Sequence, residues 1–308
     1  MGRSIPRRQN ELQMNCWRLL EIDIALRYAP GNHGGSVMRR ALILLAATLL
    51  LSASTVSLNA QTPDSSSPGL VCNGGPRECL DYMLNVYLKA LVAHKPEALP
   101  VAANVKFTEN GVDRKLGEGL WQTITGFNVT EGGTKLEYID LPQKTAGLHM
   151  IAMEGNSPAV FILRIKVIDR KIAEVETHVI RNQQGVAAFD PGGLHGFSSP
   201  MSMTPKQPQL NSREEMTRIS ERYLEALKTG NFNAADSPIA ADAYRMENGR
   251  LTATSQIPPQ PALTHRIEAV DEDLGLVWVR EDLGSRVAWE GIKIFDGRIH
   301  AIEGFSGS

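Results

Sequence analysis

Cysteine is scarce in this chain of 308 residues: there are three, and none stands with histidine or a further cysteine at the spacing of a zinc site. No metal is therefore assigned. A surplus of one charge is also missing. Lys and Arg number 32 against 34 Asp and Glu, for a net charge of −2, so there is no basic excess to neutralise a phosphate backbone. Nucleic acid is not an expected partner. The sequence contains no phosphate-binding loop, no dinucleotide fingerprint and no Gly-x-Ser-x-Gly elbow, which removes the usual routes to nucleotide, nicotinamide and serine-hydrolase chemistry. Any chemistry is expected to be cofactor-free. The apolar run Ala41 to Leu51 is too short for a bilayer span, which needs about 20 apolar residues.

That run instead completes an export signal: Arg39-Arg40 precede it, and small and polar residues follow to Ala60. The expected organisation is a non-native or disordered extension over 1–37, a signal peptide over 38–60 and a Ser/Pro-rich spacer over 61–77. The mature protein is then secreted or periplasmic, with no stable membrane anchor after cleavage. Cys72 and Cys79, the two cysteines beyond the signal, are expected to form a disulfide in an oxidising compartment.

The remainder reads as a repeat. Lys166-Val-Ile-Asp-Arg-Lys-Ile-Ala-Glu-Val-Glu176 aligns without a gap on Lys293-Ile-Phe-Asp-Gly-Arg-Ile-His-Ala-Ile-Glu303. Upstream, Tyr87-Leu-Lys-Ala-Leu91 echoes Tyr223-Leu-Glu-Ala-Leu227, and Glu109-Asn-Gly111 echoes Glu247-Asn-Gly249, in the same order. Apolar residues at helical spacing predict a helix from about Glu78 to His94, and a second runs from about Ser212 to Thr229 with Ser212 or Asn211 as N-cap. Strand-like runs broken by Gly, Pro and Asp follow each helix. The expected fold class is α+β: two tandem units, each an N-terminal helical segment packed on a curved antiparallel sheet. They should occupy 78–187 and 212–308, with a linker over 188–211.

In that order of elements the chain resembles the nuclear transport factor 2-like, or SnoaL-like, superfamily. The first half also resembles a domain of uncharacterised function in secreted fungal and bacterial proteins, through Phe107-Thr-Glu-Asn-Gly111, Gly117-Glu-Gly-Leu-Trp121 and Arg164-Ile-Lys-Val167. The superfamily resemblance implies a cone-shaped unit with an apolar interior pocket that often houses a carboxylate or a histidine. It also implies pairing through open sheet faces, either between the two units of one chain or in a homo-oligomer. No single reaction follows from it.

Residues give the candidate chemistry. With Asp296-Gly297 as a two-residue turn, an unbroken register places Glu303 opposite Glu290, two carboxylates sharing one site. The same register around Asp169-Arg170 sets Glu176 opposite Leu163, in apolar company with His178 and with His149 on a neighbouring strand. Glu176, His178, Glu109 and His149 are the catalytic candidates. Trp121, Tyr138, Arg164 and Asn110 are the expected substrate-binding residues, although Trp121 also fits a core role. Glu247, Glu290, Glu303 and Trp278 are the second-copy candidates, and Trp289 suits an interface between units. A tuned carboxylate, a histidine and an apolar pocket suffice for a cofactor-independent lyase or isomerase. Its partner would be a small apolar molecule, aromatic or polyketide-like by the resemblance. The competing expectation is a non-catalytic small-molecule-binding or protein-assembly module.

Overall fold

Leu80, Met83, Leu84, Tyr87, Leu88 and Leu91 recur at helical spacing, and α1 (Pro76–Val92) buries all six. Pro76 opens this helix, where a missing N–H leaves no intrahelical bond unmade, and Cys79 in its first turn is disulfide-bonded to Cys72. The computed structural model describes residues 72, 74–128, 135–182, 188–194, 199–232, 238–253 and 257–307. The expected extension and export signal, and residues 61–71 and 73 of the expected spacer, lie outside the described residues. Among those described, no helix is long and apolar enough to cross a membrane.

The first sheet holds β1 (Val101–Glu109), β2 (Val112–Asp113), β3 (Gly126–Phe127), β4 (Leu136–Asp140), β5 (Thr145–Glu154), β6 (Ser157–Ile168) and β7 (Lys171–Arg181). Its order is β2-β1-β7-β6-β5-β3, with β4 also paired to β5. After the short α2 (Ser199–Ser202), helix α3 (Arg213–Thr229) begins with the Ser212 side chain accepting from the Glu215 N–H, as the N-cap signal predicts. The second sheet holds β8 (Ile239–Glu247), β9 (Arg250–Leu251), β10 (Thr264–Asp271), β11 (Leu276–Asp282), β12 (Val287–Phe295) and β13 (Arg298–Gly307). Its order is β10-β11-β12-β13-β8-β9.

Both sheets are mixed, which corrects the antiparallel expectation. β1 runs parallel to β7, and β8 runs parallel to β13. Hairpin signals are local, whereas these pairs join the first and last long strands of a unit, and nothing nearby in sequence announces them. The helices are also a smaller share than expected, one long helix per sheet.

A second correction concerns register. Asp169 and Arg170, and likewise Asp296 and Gly297, all have positive φ, so both turns are of the hairpin kind expected. Immediately beyond each turn, however, the ladder shifts by one residue, between Lys166 and Val167 and between Lys293 and Ile294. Ala173 and His300 are the extra residues. Because side chains alternate faces along a strand, one extra residue reverses the face of everything after it.

The layers follow the sequence helix, sheet, sheet, helix. One apolar cluster lies between α1 and the first sheet, another between α3 and the second sheet, and a third between the sheets. In this third layer Tyr138 stacks on Trp278, ring centres 4.8 Å apart and planes 2° from parallel. Trp278 lies against Gly147 and the Tyr138 hydroxyl against Gly291, and a Cβ at either glycine would collide with these rings. The connection between the units joins the same layer through Phe189 and Met201. Lys293 Nζ pins it further, donating to the Met203 and Leu274 carbonyls at 2.5 Å each.

The sheets are also clasped by two reciprocal ion pairs. Arg77 at the start of α1 grips Asp271 of the second sheet with two bonds of 2.8 Å, and Asp271 also accepts the Ile139 N–H at 3.1 Å. Arg213 at the start of α3 grips Asp140 of the first sheet at 3.1 and 2.5 Å, and Asp140 accepts the Val270 N–H at 2.9 Å. Each helix start is thus anchored to the other unit's sheet, the mutual arrangement of an isologous contact.

Candidate functional site

Burial of charge marks the site. A cavity of about 230 Å³ opens beside the second sheet, with Leu227, Ile257, Pro258, Leu283 and Ala288 as apolar wall. Its polar lining comes from three strands: Arg245 and Glu247 on β8, Glu281 on β11 and Glu290 on β12, with Gln260, Thr252 and Arg286 completing the wall. Arg245 is 6% exposed, while Glu281 and Glu290 are each 3% exposed. Buried charge of this density is expensive unless each group is partnered.

Most of it is. Arg245 donates to Glu290 at 2.7 Å and to Glu247 at 3.0 Å. The Tyr223 hydroxyl, reaching in from α3, donates to the other oxygen of Glu290 at 2.9 Å. Glu247 accepts from Ser306 Oγ at 3.0 Å. Burial would lift the Glu247 carboxyl, but Arg245 and the Arg245 and Ser306 hydrogen bonds outweigh it and hold the group below its ordinary range. Glu281 feels the charge of Arg245 more weakly than it feels burial and Glu290, and among the described residues its Oε1 has no hydrogen-bond partner. Burial first, then the negative charge of Glu290 and a hydrogen bond to it, push its carboxyl well above the ordinary range and favour its protonated form. The arrangement sets one carboxyl that favours its proton, Glu281, beside one that favours the ionised form, Glu247. Among the described residues no group of three or more His, Cys, Asp or Glu is arranged to hold a metal.

The first unit supplies an internal control. The aligned echoes and the strand pairings equate Arg245 with Phe107, Glu281 with Met150 and Glu290 with Leu163. All three equivalents are buried and apolar. Tyr87, the counterpart of Tyr223, there accepts from the Trp121 indole N–H at 3.2 Å instead of meeting a carboxylate. One layout thus carries an apolar interior in one unit and a charged one in the other, so the charges are not a requirement of the fold.

Residues 209–306 match a known family, described as a domain of unknown function (DUF8021). That match covers the second unit, whereas the sequence resemblance to an uncharacterised domain rests on the first. No curated protein matches the chain. Among solved structures it is similar to a de novo designed protein with a curved β-sheet (12% identity, 33% of this chain and 86% of the other, TM-score 0.28). It is also similar to an LEH-like epoxide hydrolase from M. tuberculosis (16% identity, 30% and 84%, TM-score 0.24). A third is an NTF2-like protein of unknown function from Shewanella baltica (11% identity, 31% and 93%, TM-score 0.25).

Of the residues singled out from sequence, Glu247 and Glu290 line the cavity. Glu303 does not join Glu290: the shifted register sets it opposite Gly291, on the face turned to the first sheet, where its charge reaches Tyr138. Glu176 sits opposite Arg164, not Leu163, and its company is ionic. It accepts from Arg266 at 2.6 Å and pairs with Arg280 at 3.1 Å, both from the other sheet. His149, His178, Tyr138, Arg164 and Trp278 share that inter-sheet layer, Arg164 pairing there with Glu268 at 2.7 Å. Trp289 packs in it as well. Glu109 lies in the first unit, accepting the Leu120 N–H at 2.9 Å, and Trp121 belongs to that unit's core. Asn110 has positive φ and bonds both ways with the Val179 backbone, as Asn248 does with Ser306. The residues that sequence reasoning missed are Arg245, Glu281 and Tyr223 in its polar role. A charge standing where the aligned residue of the first unit is apolar was the available signal for Arg245 and Glu290.

The inter-sheet histidines make an acid-sensitive seam. Burial lowers His149 to about 3, and burial with the nearby Arg280 lowers His178 to about 4. Both are neutral in the fold and take up a proton on unfolding below about pH 6.5, so stability is lost as pH falls from there toward 4 and 3. Each histidine contributes up to about 1.4 kcal/mol per pH unit in that window. The raised carboxyls of Glu281 and Glu268 act in the opposite sense. Thermal melts should therefore be compared with a His149→Gln/His178→Gln variant, whose melting temperature should fall less steeply between pH 6.5 and 5. Parallel slopes would remove the histidines from the account.

Proposed function

We propose that the second sheet unit carries the working site of a cofactor-free acid–base enzyme, of lyase or isomerase type, acting on a small, mainly apolar molecule. The observation that carries this reading is the replacement of Phe107, Met150 and Leu163 by Arg245, Glu281 and Glu290 at equivalent positions, around a cavity. Evolution toward stability alone favours the apolar set, because a buried ion pair is commonly no better than well-packed hydrophobic residues.

The roles follow from charge. Glu247, ionised, removes a proton from carbon next to a carbonyl. Glu281 gives its proton to the carbonyl oxygen, so an enol forms with no net charge developed. Returning the proton at another carbon isomerises the molecule; expelling a leaving group from the adjacent carbon completes an elimination. Arg245 and Tyr223 hold Glu290 in place. At about 230 Å³ the cavity is below the roughly 300–1,000 Å³ of pockets for drug-sized ligands, which suits a single ring or short chain.

We read the two units as copies of one ancestral domain, supported by the shared element order and the bulge at the same place in each last hairpin. The disulfide and the signal pattern support a secreted or periplasmic location.

Proton abstraction is measurable without a known substrate. A panel of small ketones and aldehydes incubated in deuterated water with the protein should show exchange next to the carbonyl for some members. Glu247→Gln and Glu281→Gln should each slow it by about 10²–10⁴-fold. No exchange across the panel, or exchange unchanged by both substitutions, refutes the assignment.

A further inference from the structure

We infer that this cavity takes up uncharged molecules bearing a carbonyl or hydroxyl oxygen in preference to an ammonium ion of the same shape. The inference rests on the reading of the cavity as the working site and adds the charge class of the ligand.

The charge count supports it. Inside, the Arg245 guanidinium faces two carboxylates, Glu247 and Glu290, and Arg286 at the exposed rim brings the set to neutrality. With its proton in place Glu281 leaves that balance undisturbed. Without it, Glu281 puts a second buried negative charge beside Glu290, and among the described residues no donor reaches its Oε1. The groups that face it are already engaged. Glu290 is held by Tyr223 and Arg245, and Glu247 by Arg245 and Ser306. His265, directly across on β10, is turned to Glu221 of α3 at 2.9 Å. The charge of Arg245 favours an ionised Glu281, but its guanidinium is already bonded to Glu290 and Glu247.

An ammonium ion is poorly placed to support an ionised Glu281. It must shed its water against the walls of Leu227, Ile257, Pro258, Leu283 and Ala288, and no aromatic face is among the described lining residues to compensate by cation–π attraction. Arg245 and Arg286 repel it. An anion meets Glu247 and Glu290 instead. A neutral oxygen costs far less to desolvate and finds polar partners without altering any protonation state.

Cyclohexanone and cyclohexylammonium, nearly equal in shape, separate the cases. Isothermal titration of the whole exported chain at pH 7, in two buffers of different ionisation enthalpy, counts the protons moved on binding. Cyclohexanone should bind about tenfold more tightly or better, a difference of about 1.4 kcal/mol, with no proton transferred. Glu281→Gln, which stays neutral and cannot ionise, should abolish any residual ammonium binding. Tighter binding of cyclohexylammonium with release of close to one proton overturns the charge preference while leaving the cavity a ligand site. If neither probe gives a binding isotherm that Glu281→Met removes, the site reading fails together with the preference.

Discussion

Replacing Arg245 alone by phenylalanine should destabilise the protein by about 3–5 kcal/mol, because Glu290 is left as an unpaired charge in a buried position. Replacing the whole constellation should not. A variant carrying Arg245→Phe, Glu281→Met and Glu290→Leu installs the residues that the first unit already uses at the same positions. Tyr223→Phe belongs with them, since the Tyr223 hydroxyl would otherwise lose its acceptor. This fourfold variant should be as stable as the parent or more stable by about 1–4 kcal/mol, the usual result when a buried charge network gives way to packed apolar residues. It should also lose all binding and exchange activity. Denaturant titration of parent, single and fourfold variants decides the matter. A fourfold variant as damaged as Arg245→Phe would mean that the network is a structural necessity of the second unit, and the argument for a site would fall.

The reciprocal ion pairs lead to the second large effect. Asp140→Ala should cost on the order of 3 kcal/mol, since the fully buried carboxylate serves Arg213 and the backbone N–H groups of Val270 and Gln143 at once. Arg213 is 23% exposed and recovers some hydration, which keeps the loss at the lower end of the range for buried pairs. For a folded body of this size that amounts to a fall of roughly 6–12 °C in melting temperature. The location of the damage is the sharper readout. Asp140 belongs to the first sheet, yet hydrogen exchange should rise at the start of α3, in the second unit. Asp271→Ala should loosen the start of α1 in the first unit through Arg77. Exchange that rises only in the unit carrying the substitution would refute cross-anchoring.

These two expectations differ in how much of their basis was visible in sequence. Both helices were, since their apolar stripes repeat at the helical period and Ser212 is a recognisable cap. The hairpin turns were visible in Asp-Gly and its Asp-Arg counterpart, and Cys72 and Cys79 left one pairing beyond the expected signal. Glu247 and Glu290, singled out from sequence, line the cavity. A paired carboxylate with a raised pKa was also anticipated in kind, but with Glu303 as the second member. The true second member is Glu281, reached through the pairing of β11 with β12.

The sequence by itself determined the helices, the turns and the hairpin strands, because each is written in local periodicity or turn chemistry. The tertiary structure decided which face each side chain occupies. Ala173 and His300 sit as extra residues in their strands without a local signal, and a period of two converts that single residue into an exchange of faces, moving Glu176 and Glu303 from the expected interior to the layer between the sheets. It also decided the partners. Arg245 with Glu290, Arg77 with Asp271 and Arg213 with Asp140 are joined across 45, 194 and 73 residues, and such contacts depend on how strands and sheets stack rather than on any pattern along the chain.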